Sequence, residues 1–435
     1  MREIKDSNIP WAGVIPQKWN VISFSQGIVR MATGLNPREN FVLTKDDEYY
    51  YVTIRNFKDG KLYLDDNCDR ISREAWEIIQ ERSDLHKGDI LFASISKDGQ
   101  CYILTEEPSN WNINESVFCI RVNKEFFNEK YFYYHLIDDA YYTDLRMDAT
   151  GTTFQSIKQN KLRLSKMVMP PLLEQERIAD FLDRKCADID NVLEKTKASI
   201  EEYKKLKQSV ITEAVTKGVR GSRSMKDSGS TWFGQIPTTW DANKLKYTFT
   251  IRKRIVGEDG HTVLAITQKG VKPKDMSNGN GQFAESYANY QIVHPGDFAM
   301  NHMDLLTGWV DISQYEGVTS PDYRVFTLDD TTRNCPRYYL YMMQMCYSNR
   351  IFYSMGQGVS GMGRWRLPAN MFNNFLIPVP PYDEQKEIAD YLNTKCAEID
   401  NLISSKEKFI SELESYKKSF IYEYVTGKKE VPATI

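Results

Sequence analysis

Val379-Pro380-Pro381-Tyr382 shares its last three residues with the Asp/Asn-Pro-Pro-Tyr motif by which amino-methyltransferases hold a target amine. The first residue of that motif must hydrogen-bond the amine, and the Val379 side chain has no polar atom. No glycine-rich cofactor loop precedes it in a doubly wound pattern. Pro321-Asp322 has the opening of a nuclease motif, but Tyr323-Arg324-Val325-Phe326-Thr327-Leu328 follows without a Glu-x-Lys. There is no GxxxxGK[ST] phosphate loop. His302 with Asp297 and Asp304 has ligand-type side chains, yet the chain holds only five scattered His, and a polar loop is the simpler reading. The seven Cys include no CxxC pair, and an odd count argues against a disulfide framework. The sequence therefore leads us to expect no catalytic residue, no metal and no cofactor bound by this chain.

What remains is chemistry of recognition. Reading base edges takes Arg, Lys, Asn, Gln, Ser or Thr on a scaffold, with glycines where backbone must come close. Two segments in each half of the chain qualify. In the first half they are Ser94-Ile95-Ser96-Lys97 and the loop Thr150-Gly151-Thr152-Thr153-Phe154-Gln155, followed by Lys158, Lys161 and Arg163. In the second half they are Asn301-His302 and Gln357-Gly358-Val359-Ser360-Gly361-Met362-Gly363-Arg364-Trp365-Arg366. Adjacent basic residues are suited to phosphates. The other reading of each segment is a solvated surface loop. A net charge of −3 means that any nucleic-acid contact must come from such local patches.

The elements that position these loops are duplicated. Pro170-Pro171-Leu172-Leu173-Glu174-Gln175-Glu176-Arg177-Ile178 is matched by Pro380-Pro381-Tyr382-Asp383-Glu384-Gln385-Lys386-Glu387-Ile388, 210 residues on. The match runs without a gap through Val215-Thr216 and Val425-Thr426. A second match, offset by 221, relates Lys5-Asp6-Ser7, Trp11, Ile15-Pro16 and Trp19 to Lys226-Asp227-Ser228, Trp232, Ile236-Pro237 and Trp240. Two near-constant frames thus enclose two divergent inserts, roughly 20–168 and 241–378.

Each frame is free of Gly and Pro from Leu172 to Lys217 and from Tyr382 to Thr426, then stops at Gly218 or Gly427. A helix of about 44 residues is about 66 Å long and needs a partner for its apolar stripe. The stripes are Ile189, Leu193, Ile200, Tyr203 and Val210 in one helix, with Ile399, Ile403, Ile410, Leu413 and Phe420 in the other, interrupted by polar residues such as Lys207 and Lys417. An antiparallel coiled-coil pair suits a repeat that folds back on itself. Inside the inserts, short β-rich runs such as 49–54, 89–93 and 116–122 alternate with helical stretches near 127–139 and 337–346. The fold class read from this is α+β: two mixed α/β domains, two long antiparallel helices and an internal pseudo-two-fold repeat. Its boundaries are 1–169, 170–218, a linker 219–225, 226–379, 380–427 and a tail 428–435.

The duplicated frames, opening Lys226-Asp227-Ser228…Trp232-Phe233-Gly234-Gln235-Ile236-Pro237…Trp240 and Pro380-Pro381-Tyr382-Asp383-Glu384-Gln385, resemble the specificity subunits of Type I restriction-modification enzymes over nearly the whole chain. The resemblance implies two target-recognition domains, each reading half of a split double-stranded DNA sequence. It implies that the helices act as spacer and dock for two modification (methyltransferase) subunits, with restriction (motor-nuclease) subunits joining. S-adenosylmethionine, ATP and Mg are then expected on those partners. No stretch of about 18 apolar residues exists to span a membrane, and the start lacks an apolar signal core, so a cytoplasmic protein is expected. The competing reading is a coiled-coil interaction scaffold that binds no DNA.

Overall fold

The computed structural model describes residues 2–38, 40–58, 60–96, 100–147, 156–275, 285–358 and 365–432. The chain divides into two units: residues 1–196 with 408–435, and residues 197–407. The inserts delimited from the sequence fall one in each unit. Each long helix is divided between the units near its middle.

The repeat is visible in the sheets. In the first unit the strands run in the order Ile28–Thr33, Val117–Val122, Ile90–Ala93, Cys101–Ile103, all antiparallel. In the second the order is Phe249–Arg252, Arg324–Leu328, Phe298–Met300, Val310–Ile312, again antiparallel. The inner strands Ile90–Ala93 and Phe298–Met300 are buried along their length, which explains their continuous apolar runs. The first unit adds a sheet of Trp111–Ile113, Tyr49–Val52 and Asp69–Ile71, backed by the helix Arg73–Ser83. Each insert leaves and re-enters its frame through one antiparallel ribbon. Asn20–Ser23 pairs with Lys166–Met169, and Asp241–Lys244 pairs with Leu376–Val379.

The central helix spans Leu172–Lys217 and the distal helix Tyr382–Val425. Both end on glycines in the left-handed region, Gly218 at φ +79° and Gly427 at φ +71°. A Cβ at Gly427 would lie 2.6 Å from Pro16, and one at Gly218 would collide with Arg223. Positive φ at both stops favours glycine, and at Gly427 the close approach of Pro16 and Trp19 leaves no room for a side chain.

Within each unit the helices run antiparallel. In the first, Phe181 meets Tyr424 (ring centroids 4.9 Å apart) and Asp190 accepts from Lys417 Nζ at 2.6 Å. In the second, Tyr203 lies under Lys406 Nζ at 5.6 Å and Asp400 accepts from Lys207 Nζ at 2.7 Å. Lys207–Asp400 and Lys417–Asp190 are repeat mates at the 210 offset. The polar breaks in the stripes are therefore cross-helix ion pairs. Partly exposed, each adds about 0–1 kcal/mol; their larger effect is to fix register and orientation. Leu193, Ile200, Ile399 and Phe420 are buried, and Ile189, Tyr203, Val210, Ile403, Ile410 and Leu413 are half-buried.

The Glu-Gln of each frame has a specific task. Gln175, fully buried, donates to Pro170 O and Phe126 O, both at 2.8 Å, and accepts from Asn128 N. Gln385 does the same for Pro380 O, Arg333 O and Cys335 N. Glu174 binds Arg2 and Trp19 Nε1; Glu384 binds Arg223. Tyr131 hydroxyl donates to Val425 O at 2.8 Å, and its mate Tyr338 donates to Val215 O and Pro378 O. Each insert is thus clamped to the start of one helix and the end of the other, largely through main-chain atoms.

Candidate nucleic-acid interface

In the second unit the structure brings together the two polar segments singled out from the sequence; in the first, residues 150–155 lie outside the described residues, and only their flank at Ile157 is placed beside Ser94. Ser94 ends the strand Ile90–Ala93, and its carbonyl accepts from Ile157 N at 2.9 Å, just beyond the first polar loop. At the equivalent place His302 O accepts from Leu367 N at 3.0 Å. Residues 157 and 367 differ by 210, so the same main-chain bond recurs in both copies.

The individual side chains differ in what they can offer. Ser94 is 3% exposed and its hydroxyl donates to Ser116 O at 2.8 Å, so here it anchors the loop. Ser96 is half-buried, with its hydroxyl 3.1 Å from Tyr142 Oη and accepting from Gln100 N. Lys158 is exposed at the start of the helix Gln159–Leu164. Asn301 is a turn-former: its Oδ1 accepts from Met303 N and Asp304 N, and its carbonyl accepts from Tyr347 hydroxyl. Gln357 and Arg366 pair backbone to backbone at 2.8 and 3.0 Å, and Arg366 is exposed. Lys97, Thr150, Thr152, Thr153, Gln155, Ser360 and Arg364 lie outside the described residues.

Asp297 is engaged by Arg254 at 2.5 Å and Asp304 by the backbone N–H of Leu306 and Thr307. The grouping with His302 is thus built for structure. Two guanidiniums beside it also act on His302: burial first, then Arg324 and Arg366, push its pKa down to about 3. Arg324, 5% exposed, was not singled out from the sequence, where it sits inside an apolar strand pattern. A charge at a core-facing strand position is the signal that could have found it.

A second titratable cluster lies in the first unit. His135 and Asp138 are fully buried. Burial pushes His135 down to about 3 and Asp138 up to about 7. Asp138 caps the helix Asp139–Arg146 by accepting from Tyr141 N, and His135 Nε2 accepts from Val168 N. Counted from the mates Tyr131 and Tyr338, the second unit has Met342 and Met345 there, so the architecture does not need the pair. The linkage signs are opposite. Unfolded His135 takes a proton below about 6.5 that the folded ring refuses, so its contribution is lost as pH falls from there. Unfolded Asp138 releases near 3.8 a proton that the folded carboxyl keeps to about 7, so stability falls as pH rises through that window. Between pH 4.5 and 6.5 the slopes cancel. His135→Met should uncover the Asp138 slope, about 1.4 kcal/mol lost per pH unit. Urea unfolding of variant and wild type at pH 4.5, 5.5 and 6.5 checks this; parallel curves would contradict it.

Among the described residues no helix is long and apolar enough to cross a membrane. A duplicated α+β unit, with the same main-chain bond at the root of a polar segment in each copy, defines a two-domain protein on a helical frame. The model of the Type I restriction modification DNA specificity domain matches residues 16–202 and again 266–415, and the chain belongs to that family. A specificity subunit assigned to the type I restriction enzyme MjaX of Methanocaldococcus jannaschii is 26% identical over 441 residues, covering 96% of this chain and 95% of that one. The type I restriction enzyme MjaVIII specificity subunit of the same organism is 22% identical, covering 96% and 94%. A chain solved in work on complex assembly and conformational transition of the type I R-M system superposes with a TM-score of 0.67 at 15% identity, covering 95% of this chain and 99% of that one. DNA sequence specificity is the role of the family, and the DNA-free scaffold is the disfavoured reading.

Proposed function

We propose that each unit reads one half of a bipartite, asymmetric DNA target, and that the long helices set the spacer and dock the methyltransferase subunits. The observation that carries this is the duplication of one frame around two divergent inserts, with the same main-chain bond at Ser94–Ile157 and His302–Leu367. A duplicated pair of readers suits DNA half-sites, and different inserts imply different halves. Exposed apolar residues recur as repeat mates on the helices, Val192 with Leu402 and Leu206 with Tyr416. This supports two like docking surfaces for two modification subunits, with restriction subunits joining that core. The chain itself is non-catalytic on this reading; S-adenosylmethionine, ATP and Mg belong to the partners, and the complex works in the cytoplasm.

Fluorescence anisotropy on duplex pools, with and without the methyltransferase partner, tests it. Affinity should rise steeply as salt falls, and the chain alone should transfer no methyl group from S-adenosylmethionine. Salt-independent binding, or methyl transfer by the partner-free chain, would refute it.

A further inference from the structure

The second unit buries a charge where the first buries a ring. Strand register sets Arg324 opposite Met300, as it sets Phe118 opposite Phe92 in the first unit. Both side chains are 5% exposed. An aromatic residue therefore suits this position in one copy, while the other keeps a guanidinium there against a large desolvation cost.

That guanidinium has no carboxylate partner among the described residues. Its Nη2 donates to Leu367 O at 2.8 Å, its carbon lies 4.8 Å from the Phe372 ring centroid, and Nη1 is buried without an acceptor. Leu367 in turn donates to His302 O, and the next residue back, Arg366, is exposed and likewise makes no ion pair among the described residues. His302 lies within the field of both, with its Nδ1 buried and unpartnered. The ring stays neutral throughout the physiological range. Two positive charges thus bear on one neutral ring, and among the described residues no acidic side chain pairs with either of them. The equivalent positions in the first unit are Phe118, Ser94 and, one residue before Ile157, Ser156. None is charged. There, basic residues come instead from Lys158, Lys161 and Arg163 beyond the loop.

We propose that Arg324 and Arg366 form a DNA phosphodiester site at the root of the second unit's polar loop, with no counterpart in the first. Arg366, exposed, donates to the phosphate oxygens. Arg324 is a positioning residue: it holds Leu367 O, and so the loop root, and its buried charge reaches the phosphate through a medium that screens little. Because the His302 ring is neutral, the site does not change charge between pH 5 and 8. A phosphate contact fixes register on the duplex without reading a base. The inference rests on the reading that this unit binds DNA.

The test uses the assembled methyltransferase and a duplex carrying its methylated motif. Arg366→Gln should weaken binding about tenfold at 0.15 M salt and make the log–log salt slope shallower by about 0.9. The bases methylated and read should stay the same. Arg324→Phe, which installs the residue of the first unit, should weaken binding in the same direction with an unchanged or higher melting temperature. In a methylphosphonate scan, one neutralised position should cost wild type affinity and cost Arg366→Gln nothing. An altered second half-site would overturn the proposal in favour of base reading. Unaltered affinity and slope in Arg366→Gln, with wild type still salt-dependent, would overturn the site while leaving DNA binding intact. Wild-type binding without salt dependence would bring down the underlying reading itself. Arg366 is exposed, so its variant carries the test even if Arg324→Phe does not fold.

Discussion

Replacing residues 241–378 with the equivalent insert of another such subunit is expected to change one half of the recognised sequence completely and leave the other intact. The junctions favour a clean graft. Asp241 is paired with Val379 in one ribbon, so the insert leaves and returns at a single place. Part of the frame's hold is on main-chain atoms: Gln385 takes Cys335 N and Arg333 O, as Gln175 takes Asn128 N and Phe126 O in the other copy. Any insert with the same backbone path offers those atoms. The loop cluster that would read bases lies wholly inside the grafted segment. Each wrong base pair costs about 1–3 kcal/mol, so three altered positions would weaken recognition of the original half by about a hundredfold or more. The readout is the methylated motif of the assembled enzyme. A graft that changed both halves, or neither, would show that one insert does not correspond to one half-site.

Shortening both long helices by one turn is the second large effect. Each passes unbroken from one unit into the other, so removing four residues shortens that path by about 6 Å, nearly two base-pair steps of about 3.4 Å. The spacer between the half-sites should shorten by about one or two base pairs while the bases read stay the same. A cut through Lys204–Lys207 and Glu414–Lys417 would remove Lys207 and Lys417, the donors of both cross-helix ion pairs. Removing Lys197–Ile200 together with Glu407–Ile410, which are repeat mates, keeps both pairs. Four residues are close to one turn of 3.6, so the seam stays in phase. If this variant assembles and methylates with the original spacer, the helices do not set the distance.

The helices were the most legible part of the chain because their signal is local and long. The run from Leu172 to Lys217 lacks any breaker, and it is helical over that full span. The sheet was legible in its inner strands, Ile90–Ala93 and Val117–Val122, whose apolar runs follow from burial on both faces. Lys207 and Lys417 read only as breaks in a stripe, because their Asp partners lie 193 and 227 residues away. The same non-locality hid the work of Gln175 and Gln385, whose partners are backbone atoms across the fold. Among the recognition candidates, the two polar segments of the second half converge where His302 O accepts from Leu367 N. Ser94 and Asn301, however, spend their side chains on holding the loop roots, and sequence alone does not separate an anchor from a reader. Arg324 went unnoticed since neighbours such as Val325 and Phe326 made its strand look uniformly apolar.

The central claim is that two different domains in one chain read two different halves of one site. Single-molecule sequencing of methylated adenines in DNA from a host carrying this chain with its methyltransferase partner tests it most directly. The expected result is one motif made of two unlike short specific parts separated by a spacer of fixed length and unspecified sequence. A continuous motif, a palindromic one, or methylation without a motif would contradict it.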